Sequence, residues 1–99
     1  MYYTYVLLSK KDKQFYIGHT EDLRKRFKEH NQGKSQSTRP RRPFALIYYE
    51  ACLTRIDAIR REKFLKTGPG GYYLKKHLKF YLKGINSPKN KRSKFIKFF

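Results

Sequence analysis

Tyr16-Ile17-Gly18 is followed eight residues beyond the glycine by Arg26 and twelve beyond it by His30, and Glu62 stands further along the chain. A phenol, a guanidinium and an imidazole at such spacing suit work on a phosphate. Arginine presents a planar fork that grips phosphate oxygens. A phenol ionises near pH 10 and becomes a useful base only where neighbouring positive charge lowers that value. A carboxylate can hold one hard divalent cation that keeps water on its other positions. Each residue also has a plain reading. Tyr16 is otherwise a sheet tyrosine, Arg26 a surface partner of Asp22, His30 a helix-end histidine facing the dipole, and Glu62 an i,i+4 partner of Lys66.

Elements that would position these groups are legible. Tyr2 to Leu8 is aromatic and branched and reads as a strand, with Tyr3, Tyr5 and Leu7 on one face. A polar turn leads to a second strand, Gln14 to Gly18, with Tyr16 opposite Phe15 and Ile17; the short link predicts a hairpin. Thr20 is the expected N-cap of a helix on which Leu23, Arg26, Phe27 and His30 fall within about 100° of arc. Gly33 is its expected stop. After a basic loop, 33–43, comes a third strand, Phe44 to Glu50, apolar enough to be covered on both faces. Thr54 and Asp57 open a second helix, whose wheel puts Glu62 between Ala58 and Leu65. A carboxylate in an apolar arc is costly unless paired or metal-bound. Gly68-Pro69-Gly70-Gly71 reads as a break, and a third helix follows at about Tyr72 to Lys83, ended by Gly84. The order β-β-α-β-α-α predicts an α+β fold: a small three-stranded antiparallel sheet packed by helices.

Ninety-nine residues make one domain, assigned to 1–85, with a basic tail, 86–99. Lys and Arg number 25 against seven Asp and Glu, a net charge of +18. Residues 1–50 contribute eleven basic and five acidic side chains; residues 51–99 contribute fourteen and two. Such a balance calls for a polyanion, and nucleic acid is the expected partner, with a membrane surface disfavoured. The contacts are expected from Lys25, Arg39, Arg41, Arg42, Lys66, Lys75, Lys79, Lys89, Lys91 and Arg92. Cys52 is the one cysteine, which excludes an intrachain disulfide and fits a reducing cytoplasm. Neither a signal peptide nor an apolar run of membrane-spanning length is expected.

With these residues in view, the chain resembles a GIY-YIG nuclease domain of the small stand-alone type, similar to the amino-terminal domain of the bacterial excinuclease. The resemblance covers residues 3 to 80. Its first motif is Tyr3-Thr4-Tyr5 here and matches at Tyr5; its second is Tyr16-Ile17-Gly18. Asp22-Leu23, Arg26 and His30 stand at the family's helix spacing, and the family's metal-binding glutamate falls on Glu62. An asparagine that many members carry after the core has no aligned counterpart, Asn86 and Asn90 being the nearest.

The resemblance implies Tyr5, Tyr16, Arg26 and His30 as catalytic residues and Glu62 as ligand to Mg²⁺ or Mn²⁺. It implies hydrolysis of a phosphodiester, with DNA favoured over RNA and nicking expected from a monomer or weak dimer. A non-catalytic DNA- or RNA-binding module is the alternative, supported by charge and aromatic content alone.

Overall fold

A computed structural model describes residues 1–85, and the tail with Lys89, Lys91 and Arg92 lies outside the described residues. The elements are β1 (Tyr2–Ser9), β2 (Phe15–Thr20), α1 (Leu23–Asn31), β3 (Phe44–Cys52), α2 (Arg55–Leu65), α3 (Gly68–His77) and α4 (Lys79–Ile85), with a 3-10 turn at Arg39–Arg41. The sheet runs β2-β1-β3 and is antiparallel throughout. The expected α+β architecture is therefore the observed one. No described helix is long and apolar enough to cross a membrane.

β1 is the middle strand, and Thr4 to Ser9 are all buried. Alternation along it divides the core into two layers. Tyr5 and Leu7 pack with Leu23, Phe44 and Leu46, joined by Tyr3, Tyr16 and Phe27, beneath α1. Val6 and Leu8 pack with Ala45, Ile47, Leu65 and Leu74, beneath α2 and α3. Thr4 points into this second layer, where its hydroxyl donates to the Ala58 carbonyl at 2.7 Å.

Pairing with β3 skips one residue between Val6 and Leu7: Val6 faces Tyr48 and Leu7 faces Leu46. This bulge puts consecutive Ile47 and Tyr48 on the α2 side. Beyond it Tyr49 returns to the other face, 48% exposed, and meets Tyr3 edge-on at 6.0 Å. β3 forms one rim of the sheet and β2 the other.

α1 begins two residues later than Thr20 suggests. β2 continues to Thr20, paired with Tyr3, and Asp22 is the cap, its carboxylate accepting from the Lys25 amide at 3.1 Å. Thr20 instead accepts from the Asp22 amide at 3.1 Å and shapes the approach. At the far end Gly33 has φ +78°, and the Gly33 and Lys34 amides return to the carbonyls of His30 (3.2 Å) and Glu29 (3.0 Å). The expected glycine stop is thus present as a left-handed terminator with both return bonds.

Gly68 to Gly71 do not break the chain's helicity; they form the first turn of α3. Thr67 caps it by accepting from the Gly70 amide, and Pro69 lies in the first turn, where a missing N–H costs nothing. Gly70 permits a close crossing of α2, since a Cβ there would lie 1.9 Å from the Phe64 carbonyl oxygen. The single helix expected over 72–83 is two. Leu78 leaves helical geometry (φ −101°, ψ 20°) and packs against the second core layer, α4 restarts at Lys79, and Gly84 lies inside it.

Gly70→Ala is expected to destabilise the fold by about 2 kcal/mol, in the range for an overpacked site. Gly71→Ala, with nothing within 4 Å of the added methyl, should be neutral or stabilising by a few tenths to about 1 kcal/mol. Urea midpoints of the two variants against the parent check both signs.

Candidate active site

Strand register brings the two expected phenols together. Tyr5 faces Gly18 and Leu7 faces Tyr16, so Tyr5 and Tyr16 are diagonal neighbours on the α1 side, ring centroids 6.3 Å apart. Gly18 is required by this approach, not by its backbone angles. A Cβ at 18 would lie 2.7 Å from the Tyr5 oxygen, 2.8 Å from Cζ and 3.2 Å from the Tyr16 ring. The Tyr5 phenol therefore rests over the bare backbone of the outer strand.

One α1 face supplies the rest. His30 is fully buried, 4.9 Å from the Tyr16 ring and 5.8 Å from that of Tyr5. Its Nε2 is 2.8 Å from the Tyr5 hydroxyl and its Nδ1 2.8 Å from the Thr38 hydroxyl. Thr38, also fully buried, is oriented to donate to the Ser35 carbonyl at 3.4 Å. Of the two hydroxyls one donates to the ring and the other accepts from it, since a neutral imidazole offers one N–H and one lone pair. Arg26, one turn earlier, lies near enough to Tyr5 to favour negative charge on its oxygen and donates through Nη1 to Glu29 at 3.2 Å. A buried chain of bonded side chains results, from Tyr5 to His30 to Thr38, with Arg26 beside its Tyr5 end.

Electrostatics keeps this chain neutral apart from its arginine. Burial first, then Tyr16, pushes the Tyr5 phenol well above its ordinary value, although Arg26 opposes them. Burial and then Arg26 push His30 down to about 4, so it is an uncharged imidazole at neutral pH. Burial disfavours the charge on Arg26, but the interactions with Tyr5 and Glu29 outweigh it and hold the guanidinium protonated. Part of Arg26 stays open, with a third of its side chain exposed.

Glu62 comes from the other layer. His19, paired with Thr4 on the α2 side of β2, places Nδ1 2.6 Å from Glu62 Oε1, and Lys66 Nζ is 2.7 Å from Oε2. Burial favours the acid form, yet Lys66 and His19 overcome it and hold the carboxyl below its usual range. Its charge extends to Tyr5, which it helps to push up. β2 is thus the seam of the site, with Tyr16 on one side and the His19–Glu62 pair on the other. Among the described residues no three of His, Cys, Asp and Glu cluster as a metal cage. An ionised, partly open carboxylate as sole protein ligand still fits a hard cation that retains water, and Lys66 already draws positive charge to Oε2.

The residues expected to meet nucleic acid have varied surroundings. Lys25 and Lys75 are exposed, and Lys79 is exposed beside the Phe80 ring, 5.8 Å from its centroid. Lys66 is engaged by Glu62. Arg41 bonds Asp12 through Nε at 2.6 Å and reaches the Gln14 and Phe15 carbonyls, clamping the hairpin turn. Arg39 donates to the Gly33 carbonyl and Arg42 to the Arg39 carbonyl, each through Nε. Lys75 and Lys66 line a groove with Phe15, Ile17, Gly71 and Thr67 that reaches β2 at Tyr16.

Two contributors have no mark in the sequence. Thr38 lies in a polar loop whose fold depends on docking against the hairpin, where the Ser9 hydroxyl donates to the Arg41 carbonyl at 2.6 Å. His19 would have been found by extending β2 two residues past Gly18, which puts its side chain on the face toward Glu62.

Acid should loosen this arrangement. The unfolded chain protonates His30 near pH 6.5 and the folded chain only near 4, so between those values the unfolded state binds more protons. Stability supplied by the neutral ring is full above pH 6.5 and falls as pH is lowered toward 4. NMR titration should give His30 a midpoint near 4, with urea midpoints declining across that window; a midpoint near 6.5 would contradict the burial.

Comparison with known proteins gives a consistent answer. The family described as GIY-YIG catalytic domain matches residues 1–68. UPF0213 protein YazA of Bacillus subtilis (strain 168) is 44% identical over 57 residues, 57% of this chain and 58% of that protein. A UPF0213 protein of Bacillus pumilus (strain SAFR-032) is 43% identical over 67 residues, 67% of each chain. The chain thus spans about three fifths to two thirds of the length of these relatives. The solution NMR structure of UPF0213 protein BH0048 from Bacillus halodurans is 31% identical, with 98% of this chain and 99% of that one covered and a TM-score of 0.42. Since the family match takes in both tyrosines, the α1 face and Glu62, this chain belongs to the GIY-YIG family.

Proposed function

We propose that the chain is a metal-dependent endonuclease that hydrolyses phosphodiester bonds, nicking DNA. The observation that carries this reading is the buried chain Tyr5–His30–Thr38 beside Tyr16, with Arg26 next to its Tyr5 end, because binding alone has no need of a buried neutral histidine bonded to a phenol near an arginine. Members of the family generally depend on a divalent metal. Here Glu62 would hold Mg²⁺ or Mn²⁺, with His19 orienting the carboxylate. When bound, such an ion supplies charge that polarises the phosphate and screens the leaving oxygen.

The chain's own residues divide the remaining work. Arg26 donates to the non-bridging phosphate oxygens and stabilises the charge that grows on them. Tyr5, held by His30, stands beside Arg26 and helps to set the fork's direction. Tyr16 acts as phenolate, its own proton having passed to solvent beforehand, and takes a proton from the attacking water as the water oxygen bonds to phosphorus and the opposite P–O bond breaks. The departing alkoxide recovers a proton from solvent. Lys25, Lys75 and Lys79, and the basic residues of 86–99, hold neighbouring phosphates, a sequence-blind role. DNA is favoured over RNA by the likeness to the bacterial excinuclease domain. Residues 1–85 form the catalytic unit in this reading and 86–99 its basic tail.

Plasmid nicking with and without chelator tests the proposal. Glu62→Gln should abolish metal-dependent nicking while leaving DNA affinity within about twofold, since Gln keeps the shape and changes a large net positive charge by only one. No nicking by the parent with metal would favour a chain that only binds, and nicking by the variant, or by the parent in chelator, would remove Glu62 or the metal from the reaction. Arg26→Ala should slow nicking by about 10²–10³, the usual cost of one such donor. A loss below about threefold would remove Arg26 from the reacting phosphate.

A further inference from the structure

The proposed site uses Lys75 and Lys79 for phosphates but gives no task to the exposed rings near them. Residues 68–85 contain Lys75, Lys76, Lys79 and Lys83 and no acidic residue. Tyr72 on α3 is 68% exposed and Phe80 on α4 is 80% exposed. Each carries an ammonium beside its ring: Lys76 Nζ is 6.0 Å from the Tyr72 centroid and Lys79 Nζ 5.8 Å from that of Phe80. Next to Tyr72, the Tyr73 and His77 rings stack at 5.5 Å and 21°, and with Lys76 these rings line a shallow groove.

The location ties this surface to β2 at Tyr16. Gly71 and Lys75 of α3 line the groove that contains Tyr16, and Tyr72 and Lys76, one residue further along in each case, line the next one. A strand leaving Tyr16 would cross Lys75 and arrive on the Tyr72 ring. Duplex DNA would bring its phosphates to the lysines but has no free base face for the two rings. Unpaired nucleotides have both, and aromatic side chains set among cations are the usual means of holding them without sequence preference.

We propose that Tyr72 and Phe80, with Lys75, Lys76 and Lys79, form a stacking platform for unpaired nucleotides next to the site of cleavage. The preferred substrate then carries a single-stranded segment beside the bond that is cut. Charge complementarity selects the occupant: a segment with four lysines and no carboxylate of its own suits a polyanion, and exposed rings suit its bases. The placement of the strand rests on the nuclease reading, but the platform itself is tested without cleavage.

The test is fluorescence anisotropy in chelator, with a short labelled oligothymidylate and a blunt duplex of equal length, at several salt concentrations. The full chain is compared with Tyr72→Ala, Phe80→Ala and the double variant. Stacking lost at both rings should weaken single-strand binding by about tenfold or more, with duplex binding changed less than about twofold and the salt slope unchanged. Tyr72→Phe and Phe80→Tyr, which keep a ring, should bind as the parent does. Both positions are exposed, so melting temperatures should not move, and the ring-keeping pair identifies any loss that comes from misfolding. Equal losses on both ligands, or no loss on the single strand, would overturn the platform, as would ring-keeping variants that fail like alanine. None of these outcomes bears on Glu62→Gln nicking, so the platform and the nuclease reading stand or fall separately.

Discussion

His30 is the point at which three separate parts of the chain are made to agree. It is buried on α1, bonded to Tyr5 of the middle strand on one side and to Thr38 of the basic loop on the other. A polar ring without solvent must have both nitrogens satisfied, and a neutral imidazole donates from one and accepts at the other. Whichever nitrogen carries the hydrogen, one of the two hydroxyls donates to the ring and the other accepts from it, so loop, helix and sheet share one proton chain. The low proton affinity of the ring preserves that chain, because burial and then the charge of Arg26 oppose a cationic imidazole.

The second constraint is the thinness of β2 at Gly18. Tyr5 can lie over the outer strand only because no side chain is there. Two residues before it Tyr16 rises on one face, and one residue after it His19 drops to the other and bonds Glu62. A short stretch with a gap in the middle therefore joins two helical layers that otherwise communicate only through the core. Both layers are anchored independently, by Leu23 and Phe44 on one side and Leu65 and Leu74 on the other, so the seam is held from both directions.

What the sequence disclosed follows the reach of its periodicities. Alternation along Tyr2 to Leu8 assigned Tyr5 to a face, helical spacing set Arg26 and His30 beside the apolar stripe, and the arc from Ala58 to Leu65 singled out Glu62. These are local facts about repeats of two and 3.6 residues. Thr38 was invisible because its position is decided by a loop that folds back on a hairpin far away in the chain, through Ser9 and Arg41. His19 was hidden by ending β2 at its glycine; pairing with β1 carries it on to Thr20. Gly68 to Gly71 were misleading in a different way. Four residues of poor helix propensity form a helical turn because Thr67 caps it and the crossing with α2 demands a surface without side chains.

The exposed rim of β3 has a colloidal consequence. A sheet edge presents unpaired backbone groups, and Tyr49 adds an aromatic ring there, so two copies meeting rim to rim would find ready partners. The charge of +18 opposes that meeting at a distance. Salt shortens the reach of this repulsion to about 10 Å at 0.1 M. The ionic strength that frees the protein from a polyanion is also the ionic strength at which its copies cease to repel one another. A bound polyanion lowers the same net charge, so it too would weaken the repulsion that keeps one rim from another.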